Sequence, residues 1–396
     1  MANTPYNVAW ITHFPLEWRE DLPEGWQGIP KGHPMTWQRV LLDELAGDEQ
    51  FNLHIVSLSK HYPRTMSWTR GRVTFHAVKM AGGLRAPTYF WYDTLVVRRL
   101  LIRIQPDVVH AWGAERGAGL VADRLPWPYL MTVQGLMTWY VGLGEANAHE
   151  RLAARMERQV FARAPVITTE SRFAVSFIRE RFPAVRIEQI EHAPAWPFHR
   201  MQRQPPDGVL RCLFVGTPIW RKGFDTLLAA LDRIGAEIPW ELAVTGTADA
   251  AYPQSLKHAV SSATWSRIAF LGNLPAEAVA RELSRATMLV FPTRADTSPN
   301  AVKEAAVAGV PVMGTKVGGI PDYIIDGKNG SLVEPGNTPA LADAIRAAWR
   351  HPLFGKGRVD EATLAQVREY LSPRAMARRF AGVYTELGEL NRGARG

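Results

Sequence analysis

FPTRADTSPNAVKEAAVAGVPV, residues 291–312, carries the clearest structural pattern in the sequence. An apolar strand ends at Phe291, and Ser298-Pro299 is a typical helix start, with serine at the N-cap and proline at the first helical position. A glycine turn then leads into a second apolar strand, Val310–Thr315. A strand, a helix and a strand in this order predict a parallel sheet that is covered by helices.

The same alternation of short apolar strands and helices occurs in two blocks of the chain. Each apolar run has roughly four to eight residues, which suits a strand that is buried on both faces. The first block has predicted strands at Asn7–Thr12, Phe51–Leu58, Val108–Ala111, Tyr129–Val133 and Val166–Thr169, and a helix at Trp37–Leu45. The second has strands at Leu210–Val215, Glu241–Thr245, Ile268–Leu271, Met288–Phe291 and Val310–Thr315, and helices at Phe224–Ile234, Pro299–Ala308 and Pro339–Trp349.

Residues 192–208 separate the two blocks. They contain several prolines and no periodicity, so they predict an interdomain linker. The predicted fold class is α/β, with two doubly wound Rossmann-like domains over residues 1–200 and 201–372. Because ligands of such sheets bind beyond the carboxyl ends of the strands, we expect the two domains to share one interdomain cleft.

The bulk properties restrict the class of protein. A formal net charge of +8 favours an anionic partner, but the sequence has no zinc-ligand spacing, basic heptad repeat or RNA-binding signature, so we expect no nucleic-acid partner. No apolar run reaches the roughly 18–20 residues that span a bilayer. Met1–Pro5 is not a basic segment followed by an apolar core, so we expect a cytoplasmic protein.

The predicted helix start can hold an anion. The backbone amides of Asn300 and Ala301 belong to the first turn, where amides lack helical partners and the helix dipole favours negative charge. Asp296 before the helix and Glu304 within it can accept hydrogen bonds from hydroxyl groups of a ligand. The alternative is a capped helix with a surface acid and no ligand.

A second loop has the same chemistry. In FVGTPIWRKGFD, residues 214–225, a strand ends at Gly216 and a helix starts near Phe224. Arg221 and Lys222 therefore lie on a strand-to-helix loop at the carboxyl edge of the sheet, where two cations can neutralise phosphate oxygens. The alternative is a solvated basic turn, but two phosphate-suited loops in one domain favour a phosphate site.

Together these segments resemble the group 1 glycosyl transferases, the retaining nucleotide-sugar glycosyltransferases of family four, which have the GT-B architecture. The family's pair of carboxylates separated by seven residues corresponds to Asp296 and Glu304, followed by the Gly-x-Pro-Val turn at residues 309–312. Further family-like blocks are Pro106–His110, Val215-Gly216, Lys222-Gly223, Val244–Thr247, Phe270–Asn273, Gly318–Asp322 and Asp326–Val333.

The resemblance implies a role for each matching residue. Lys222 and Arg221 would bind the donor diphosphate and act in catalysis with Asp296, which would contact the transferred sugar. Glu304 would hold the ribose hydroxyls. The rest of the implied donor site consists of Gly216, Thr217, Gly246, Asn273, Leu274, Ser298, Pro299, Asn300 and Ala301.

The resemblance also implies a reaction. A sugar would pass, with retention of configuration, from a nucleotide diphosphate sugar, with UDP favoured, to a hydroxyl of a saccharide or lipid-linked acceptor. The leaving phosphate would act as base. Without an Asp-x-Asp motif we expect no essential metal, and no cofactor besides the donor. A C-terminal helix over residues 373–390 would pack back on the first domain, as in relatives.

Three positions depart from the family pattern. Asp296 replaces the usual glutamate, Thr217 stands where an arginine is frequent, and Gln134 replaces a histidine. Glutamine cannot become a cation or relay a proton as histidine does. The departures at Gln134 and Asp296 keep open a catalytically weak sugar-nucleotide-binding subunit that supports a partner. A second alternative, independent of them, is a nucleotide-sugar epimerase on the same architecture.

The acceptor side is less defined by the sequence. Gly32 and His33 lie on a long loop after the first strand, and His110 and Gln134 follow or end later strands, so these four residues are the acceptor-side candidates. Tyr89–Ile104 combines aromatic and aliphatic residues with three arginines. It can form a helix that rests peripherally on an anionic membrane, and the alternative is a core helix with a solvated basic edge.

Overall fold

The computed structural model describes residues 4–144, 146–246 and 251–395. The chain divides into two units. Unit 1 comprises Met1–Glu170, Ala174–Glu191 and Met376–Gly396, and unit 2 comprises Ser171–Phe173 and His192–Ala375. The GT-B fold class expected from the sequence is confirmed, since each unit is a Rossmann-like parallel sheet with helices.

Unit 1 contains one sheet in the order β3-β4-β2-β1-β5-β6-β7-β8. All of its strand pairs are parallel except β3 with β4. The strands are β1 (Tyr6–Thr12), β2 (Phe51–Ser59), β3 (Met66–Arg70), β4 (Val73–Lys79), β5 (Val108–Trp112), β6 (Tyr129–Thr132), β7 (Val166–Thr169) and β8 (Arg186–Gln189). The chain order reverses between β1 and β5, which makes this pair the switch point of the sheet.

The helices of unit 1 follow the strands in the usual alternation. They are α1 (Thr36–Leu45), α2 (Trp91–Ile104), α3 (Ala118–Asp123), α4 (Met137–Gly142), α5 (Ala148–Phe161) and α6 (Arg172–Arg181), with a 3-10 turn at Leu16–Trp18. Helix α5 starts with a capping box, in which Asn147 and Glu150 satisfy each other's backbone amides. The first residues of α6 belong to unit 2.

Unit 2 contains a six-stranded sheet in the order β11-β10-β9-β12-β13-β14. Its strands are β9 (Leu210–Val215), β10 (Trp240–Thr245), β11 (Ile268–Gly272), β12 (Met288–Phe291), β13 (Val312–Thr315) and β14 (Gly330–Val333), and every pair is parallel. The switch point lies between β9 and β12.

The α-helices of unit 2 are α7 (Trp196–Arg200), α8 (Phe224–Ile234), α9 (Ala251–Ser255), α10 (Ser262–Trp265), α11 (Ala276–Arg285), α12 (Asn300–Ala308), α13 (Ile320–Tyr323), α14 (Thr338–Arg350) and α15 (Glu361–Tyr370). Further 3-10 turns lie at Trp220–Lys222, Leu256–Ala259 and Phe354–Lys356. A last helix, α16 (Pro373–Arg395), begins in unit 2 and belongs to unit 1 from Met376 onward.

The sheet of unit 2 separates two apolar clusters. Along β9, Leu213 contributes to one cluster and Phe214 to the other, as expected for side chains that alternate between the faces of a strand. Helix α8 covers one face with residues at helical spacing, among them Phe224 and Leu227, and helix α12 covers the other. This two-sided burial explains why the strands of the second block are predominantly apolar.

The segment predicted as an interdomain linker differs from the expectation. Residues 196–200 form helix α7, and Phe198 is buried in a core cluster of unit 2. Prolines at 194 and 197 fit this helix because proline is tolerated before and within the first turn. The predicted strands agree with the structure to within one or two residues, and β3, β4, β8 and β14 are additional strands. Within the described residues, no helix is both long and apolar enough to cross a membrane.

Candidate functional site

Two loops of unit 2 meet at the switch point of its sheet. Residues 216–223 follow β9 and residues 292–299 follow β12, and these two strands are neighbours. The Lys222 ammonium forms an ion pair with the Asp296 carboxylate across the two loops. The lysine also lies 5.1 Å from the centre of the Phe291 ring. The structure therefore brings together the two sequence segments from which a phosphate site was predicted.

Arg294 holds these loops against each other. Its guanidinium makes two hydrogen bonds of 2.7 Å to the Asp225 carboxylate and another of 2.6 Å to the backbone oxygen of Trp220. Its backbone amide donates to the oxygen of Arg221 at 2.8 Å. The sequence analysis missed Arg294 and Asp225. An acid in the first turn of α8 is a weak signal, because it is also the ordinary preference of a helix start.

The Arg221 side chain supports the same loop. One of its guanidinium nitrogens, Nη1, donates to the backbone oxygen of Ala295 at 2.8 Å. At least part of this side chain is therefore committed to the loop that carries Asp296. The sequence predicts Arg221 and Lys222 together as ligands of a diphosphate. The contact of Arg221 with the backbone of Ala295 was not part of this prediction.

The start of α12 lies one residue later than predicted. Pro299 occupies the N-cap position with an extended ψ of 119°, and no side chain caps the helix, so the prediction that Ser298 is the N-cap was wrong. The Ser298 hydroxyl instead lies 3.4 Å from the Tyr323 hydroxyl. Val302 is the first amide with an acceptor in the turn, the oxygen of Pro299 at 3.1 Å. The amides of Asn300 and Ala301 precede it and have no acceptor within the helix.

One face of α12 stays accessible. Asn300, Ala301 and Glu304 are half-buried, and every other residue of this helix is buried. These three residues are at i, i+1 and i+4, so they form one patch over the first turn. Burial raises the pKa of the Glu304 carboxyl to about 8, while the neighbouring Lys303 lowers it. A partly accessible carboxyl with little polar compensation is suited to hydroxyl donors from a ligand.

Glycines at successive strand ends form the floor beside this patch. Gly216 directly follows β9 and Gly246 directly follows β10, with φ angles of 138° and 144°. A Cβ on Gly246 would lie 2.2 Å from the oxygen of Gly216, so no side chain fits between these strands. Thr217 continues the first loop and is half-buried. After β11, Asn273 is exposed and Leu274 packs partly against the core.

A glycine turn covers the loop of Asp296 from its other side. The amide of Gly319 donates to the oxygen of Thr297 at 2.9 Å. Gly318 has a φ of 55°, and a Cβ there would lie 1.8 Å from the oxygen of Asp296. Residues 295–299 are consequently buried. The ion pair and the first turn of α12 are therefore approached from the side on which Asn300 and Ala301 lie.

Unit 1 has a pocket of about 250 Å³ at its own switch point. Its lining comes from the ends of β1, β5 and β6 or just after them, and from both sides of the start of α1. The lining residues are His13, His33, Met35, Trp37, Gln38, Trp112, Glu115, Arg116 and Gln134. Two indole rings beside several hydrogen-bonding groups are a typical lining for a polar ligand with apolar faces.

The four acceptor-side candidates lie in different parts of unit 1. His33 and Gln134 line the pocket. Gln134 Nε2 is buried and has no hydrogen-bond partner among the described residues. Gly32 lies outside the lining; its amide donates to Glu17 at 3.1 Å and its oxygen accepts from Trp18 at 3.1 Å.

His110 is part of the core of unit 1. It is fully buried, with ring nitrogens 2.6 Å from the Tyr384 hydroxyl and 2.6 Å from the Thr132 hydroxyl. Its placement among acceptor-side residues was therefore wrong, because its side chain points into the sheet–helix core and not into the pocket. Its role is to join β5 to helix α16 within unit 1.

Two pocket residues were missed by sequence reasoning. Burial raises the pKa of the Glu115 carboxyl to about 7, and the nearby Glu157 adds to this shift. Burial and the neighbouring Arg85 and Arg116 lower the pKa of His13 well below its ordinary value. His13 directly follows β1, and Glu115 lies three residues after the end of β5. A position shortly after a strand end is the signal that the sequence offers.

The described residues contain no group of three or more His, Cys, Asp or Glu side chains that could hold a metal ion.

Two Rossmann-like units, one with a cation and an accessible helix start at its switch point, are the architecture of a GT-B protein. A family model of group 1 glycosyl transferases matches residues 210–351, and a model of the glycosyl transferase 4-like domain matches residues 39–193. The chain belongs to the group 1 glycosyl transferases.

Individual relatives are more distant. Glycogen synthase of Mycobacterium tuberculosis is 29% identical over 273 residues, which are 64% of this chain and 63% of that protein. The match thus spans less than two thirds of the relative's length. Sucrose-phosphate synthase from Thermosynechococcus elongatus superposes with a TM-score of 0.78 at 17% identity, covering 96% of this chain and 99% of that one. The Anabaena protein HepE in complex with UDP gives 0.68 at 13% identity, covering 96% and 100%. These two structures agree in fold.

Proposed function

We propose that this chain is a glycosyltransferase that moves a sugar from a nucleotide diphosphate sugar to a hydroxyl group of a saccharide or lipid-linked acceptor, with retention of configuration. The observation that carries the proposal is the position of Lys222 beside Asp296 and the start of α12, at the switch point of unit 2. This is where an open parallel sheet binds its ligands.

The donor diphosphate would lie between Lys222 and the first turn of α12. The lysine supplies a full positive charge, and the amides of Asn300 and Ala301 supply hydrogen-bond donors at the positive end of the helix dipole. The glycines at 216 and 246 allow the phosphates and the nucleoside to approach the backbone closely. Glu304, one turn further along α12, would accept hydrogen bonds from the ribose hydroxyls.

In the reaction, the bond between the anomeric carbon and the phosphate oxygen breaks and the acceptor oxygen forms a new bond to that carbon. The electron pair stays on the leaving diphosphate, whose growing negative charge Lys222 and the helix amides would stabilise. The acceptor's proton passes to the leaving phosphate oxygen. Asp296 would hold Lys222 in position and contact the transferred sugar. The positive charge that this mechanism requires comes from the protein, so it includes no metal and no other cofactor.

The acceptor would bind in the pocket of unit 1. A hydroxylated ring can place its apolar faces against Trp37 and Trp112, while its hydroxyls reach Glu115 and the amide of Gln134. Gln134 Nε2 needs an acceptor there, because a buried donor without a partner costs about 1–3 kcal/mol. A glutamine at this position is thereby compatible with binding, although it cannot relay a proton.

Uracil is the donor base that we favour, so the donor would be a UDP-sugar. The structure of HepE contains UDP, and the shared fold makes the same base a reasonable first choice for this chain. The membrane contact that the sequence allows is a separate proposal, since it depends on helix α2 and not on the donor site.

A thermal-shift screen of UDP-, GDP- and ADP-sugars tests the donor. A ligand present at 100 times its Kd should stabilise the fold by about 2.7 kcal/mol. Release of the nucleotide diphosphate is then measured with and without a panel of saccharide and lipid-linked acceptors. Release that depends on an acceptor supports a transferase. Binding without turnover over the whole panel would instead indicate a sugar-nucleotide-binding subunit, and conversion of the donor sugar without release an epimerase.

A further inference from the structure

Helix α2 of unit 1 exposes a stripe of large apolar side chains. Trp91 and Leu95 each keep 54% of their surface exposed, and Ile102 keeps 48%. With Arg98, which is also exposed, they occupy positions i, i+4, i+7 and i+11, so they share one side of the helix. Contiguous exposed residues of this size mark an interaction surface more often than scattered single ones do.

The opposite side of α2 fixes the helix in unit 1. Thr94, Val97 and Leu101 are buried. Asp93 is also buried, and Arg85 donates to its carboxylate at 2.6 Å. A rotation of α2 that buried the apolar stripe would break this ion pair and expose the residues that are now packed. The stripe is therefore exposed in the folded unit.

The surroundings of the stripe are cationic. Arg99 and Arg103 are exposed beside Arg98. Between residues 80 and 106, Asp93 is the single acidic residue, and it is paired in the interior. The guanidinium of Arg124 lies 4.3 Å from the centre of the Trp91 ring, which adds a further positive charge next to the indole.

We propose that this face docks on an anionic lipid bilayer. The α2 surface consists of Trp91, Leu95, Arg98, Arg99, Ile102 and Arg103. Its apolar side chains enter the interface between headgroups and acyl chains, where tryptophan is favoured, and its arginines bind lipid phosphates. A nucleic acid would use the arginines but would leave the leucine and isoleucine exposed. A bilayer satisfies both halves of the surface.

Co-sedimentation with vesicles tests this proposal on the full chain. The wild type should bind vesicles of phosphatidylcholine mixed with phosphatidylglycerol and should not bind vesicles of phosphatidylcholine alone. Arg98→Gln with Arg99→Gln should lower the partition by on the order of 10-fold to 30-fold at low salt. The difference should shrink as salt shortens the screening length from about 10 Å at 0.1 M to about 3 Å at 1 M.

A matched control is available on helix α11. Arg281 and Arg285 are exposed at i and i+4, so Arg281→Gln with Arg285→Gln removes the same charge from another helix surface. This control should keep wild-type partition. Equal losses of vesicle binding in both double variants would show an effect of net charge alone and would overturn the proposal. The proposal would also be overturned if the wild type bound neither kind of vesicle. A third contradicting result would be wild-type partition of the apolar variant Trp91→Ala with Leu95→Ala.

Insertion can be measured directly because Cys212, the single cysteine, is buried. Burial raises the pKa of its thiol to about 12, so the thiol is unreactive at neutral pH. Leu95→Cys labelled with an environment-sensitive dye should shift its emission to the blue on anionic vesicles. The same label at Leu353→Cys, in unit 2, should not shift. An unshifted dye at position 95 would overturn the proposal. Donor thermal shifts of these variants should match wild type, which separates this surface from the donor site.

Discussion

The ammonium of Lys222 lies against the carboxylate of Asp296, although 74 residues separate them in the chain. Their side chains are only 17% and 12% exposed. Removing one member of a buried ion pair leaves the other charge uncompensated, which costs about 3–5 kcal/mol in fully buried cases and less here. Each residue therefore stabilises the loops in addition to its proposed role with the donor, and variants must separate the two effects.

Lys222→Met should lower kcat/KM by about 100-fold to 1,000-fold, because one donor to the leaving diphosphate is lost. It should also lower Tm, because Asp296 loses its partner. The double variant Lys222→Met with Asp296→Asn should recover most of the Tm and none of the turnover. Steady-state kinetics and thermal melts of both variants check this; turnover that returns with stability would reduce Lys222 to a structural residue.

Glu304→Gln should change how stability depends on pH. The folded-state pKa of about 8 lies above the ordinary value of 4.5, so the group's contribution is fully present below pH 4.5 and is lost as the pH rises through 8. Glutamine does not titrate. Relative to wild type, the variant should therefore gain Tm between pH 5 and pH 9, measured by thermal melts across this range. A constant difference across that range would contradict the raised pKa.

The same residue predicts a pH effect on donor binding. Ribose hydroxyls donate to the ionised carboxylate, so binding should release a proton and the Kd of the wild type for the donor should fall as the pH rises toward 8. Glu304→Gln should raise the Kd by about 10-fold to 100-fold and show no such trend. Titration calorimetry in two buffers of different ionisation enthalpy measures the proton directly.

Gly318→Ala should disrupt the donor site through the backbone. Its Cβ would lie 1.8 Å from the oxygen of Asp296, whereas Gly327, with a similar positive φ of 71°, has nothing within 4 Å. Gly327→Ala is therefore the matched control, which carries only the strain of the left-handed conformation, about 1 kcal/mol. The position 318 variant should lose clearly more Tm and should weaken donor binding. Equal effects in both would show that the clash is relieved without moving the loop.

Glu115→Gln should act on the acceptor and not on the donor. With a pKa of about 7, the carboxyl becomes charged between pH 6 and pH 8 and then accepts hydroxyl hydrogen bonds more strongly. The wild-type KM for the acceptor should fall over this range, and the variant should have a higher KM without the pH trend. Donor thermal shifts serve as the control. A variant that changes kcat alone would assign the carboxyl to a different step.

The sequence predicted the central strands well because they are buried on both faces. Leu210–Val215 and Met288–Phe291 agree with β9 and β12 to the residue. The edge strand Met66–Arg70 has an exposed pattern and therefore no apolar signal. Strand β4 contains His76, whose buried side chain is satisfied by His54 and Ser67, and such partners are visible only in the folded sheet.

The sequence predicted those site residues that belong to one short motif. It did not predict the residues that come together only because of the order of strands in the sheet. Lys222, Asp296 and Glu304 belong to short motifs next to helix starts. Ser298 fits the N-cap preference, yet its hydroxyl lies near Tyr323 instead. Glu115 and His13 come together only because β1 and β5 are neighbours, and this pairing brings together residues about 100 positions apart.

Helix α16 makes unit 1 discontinuous in sequence. Its core closes only when residues more than 270 positions apart meet, since Tyr384 bonds His110 and Arg392 bonds Asp107. Unit 2 is almost continuous in sequence. Because closing a long loop costs entropy before its contacts form, we expect unit 1 to refold from denaturant more slowly than unit 2.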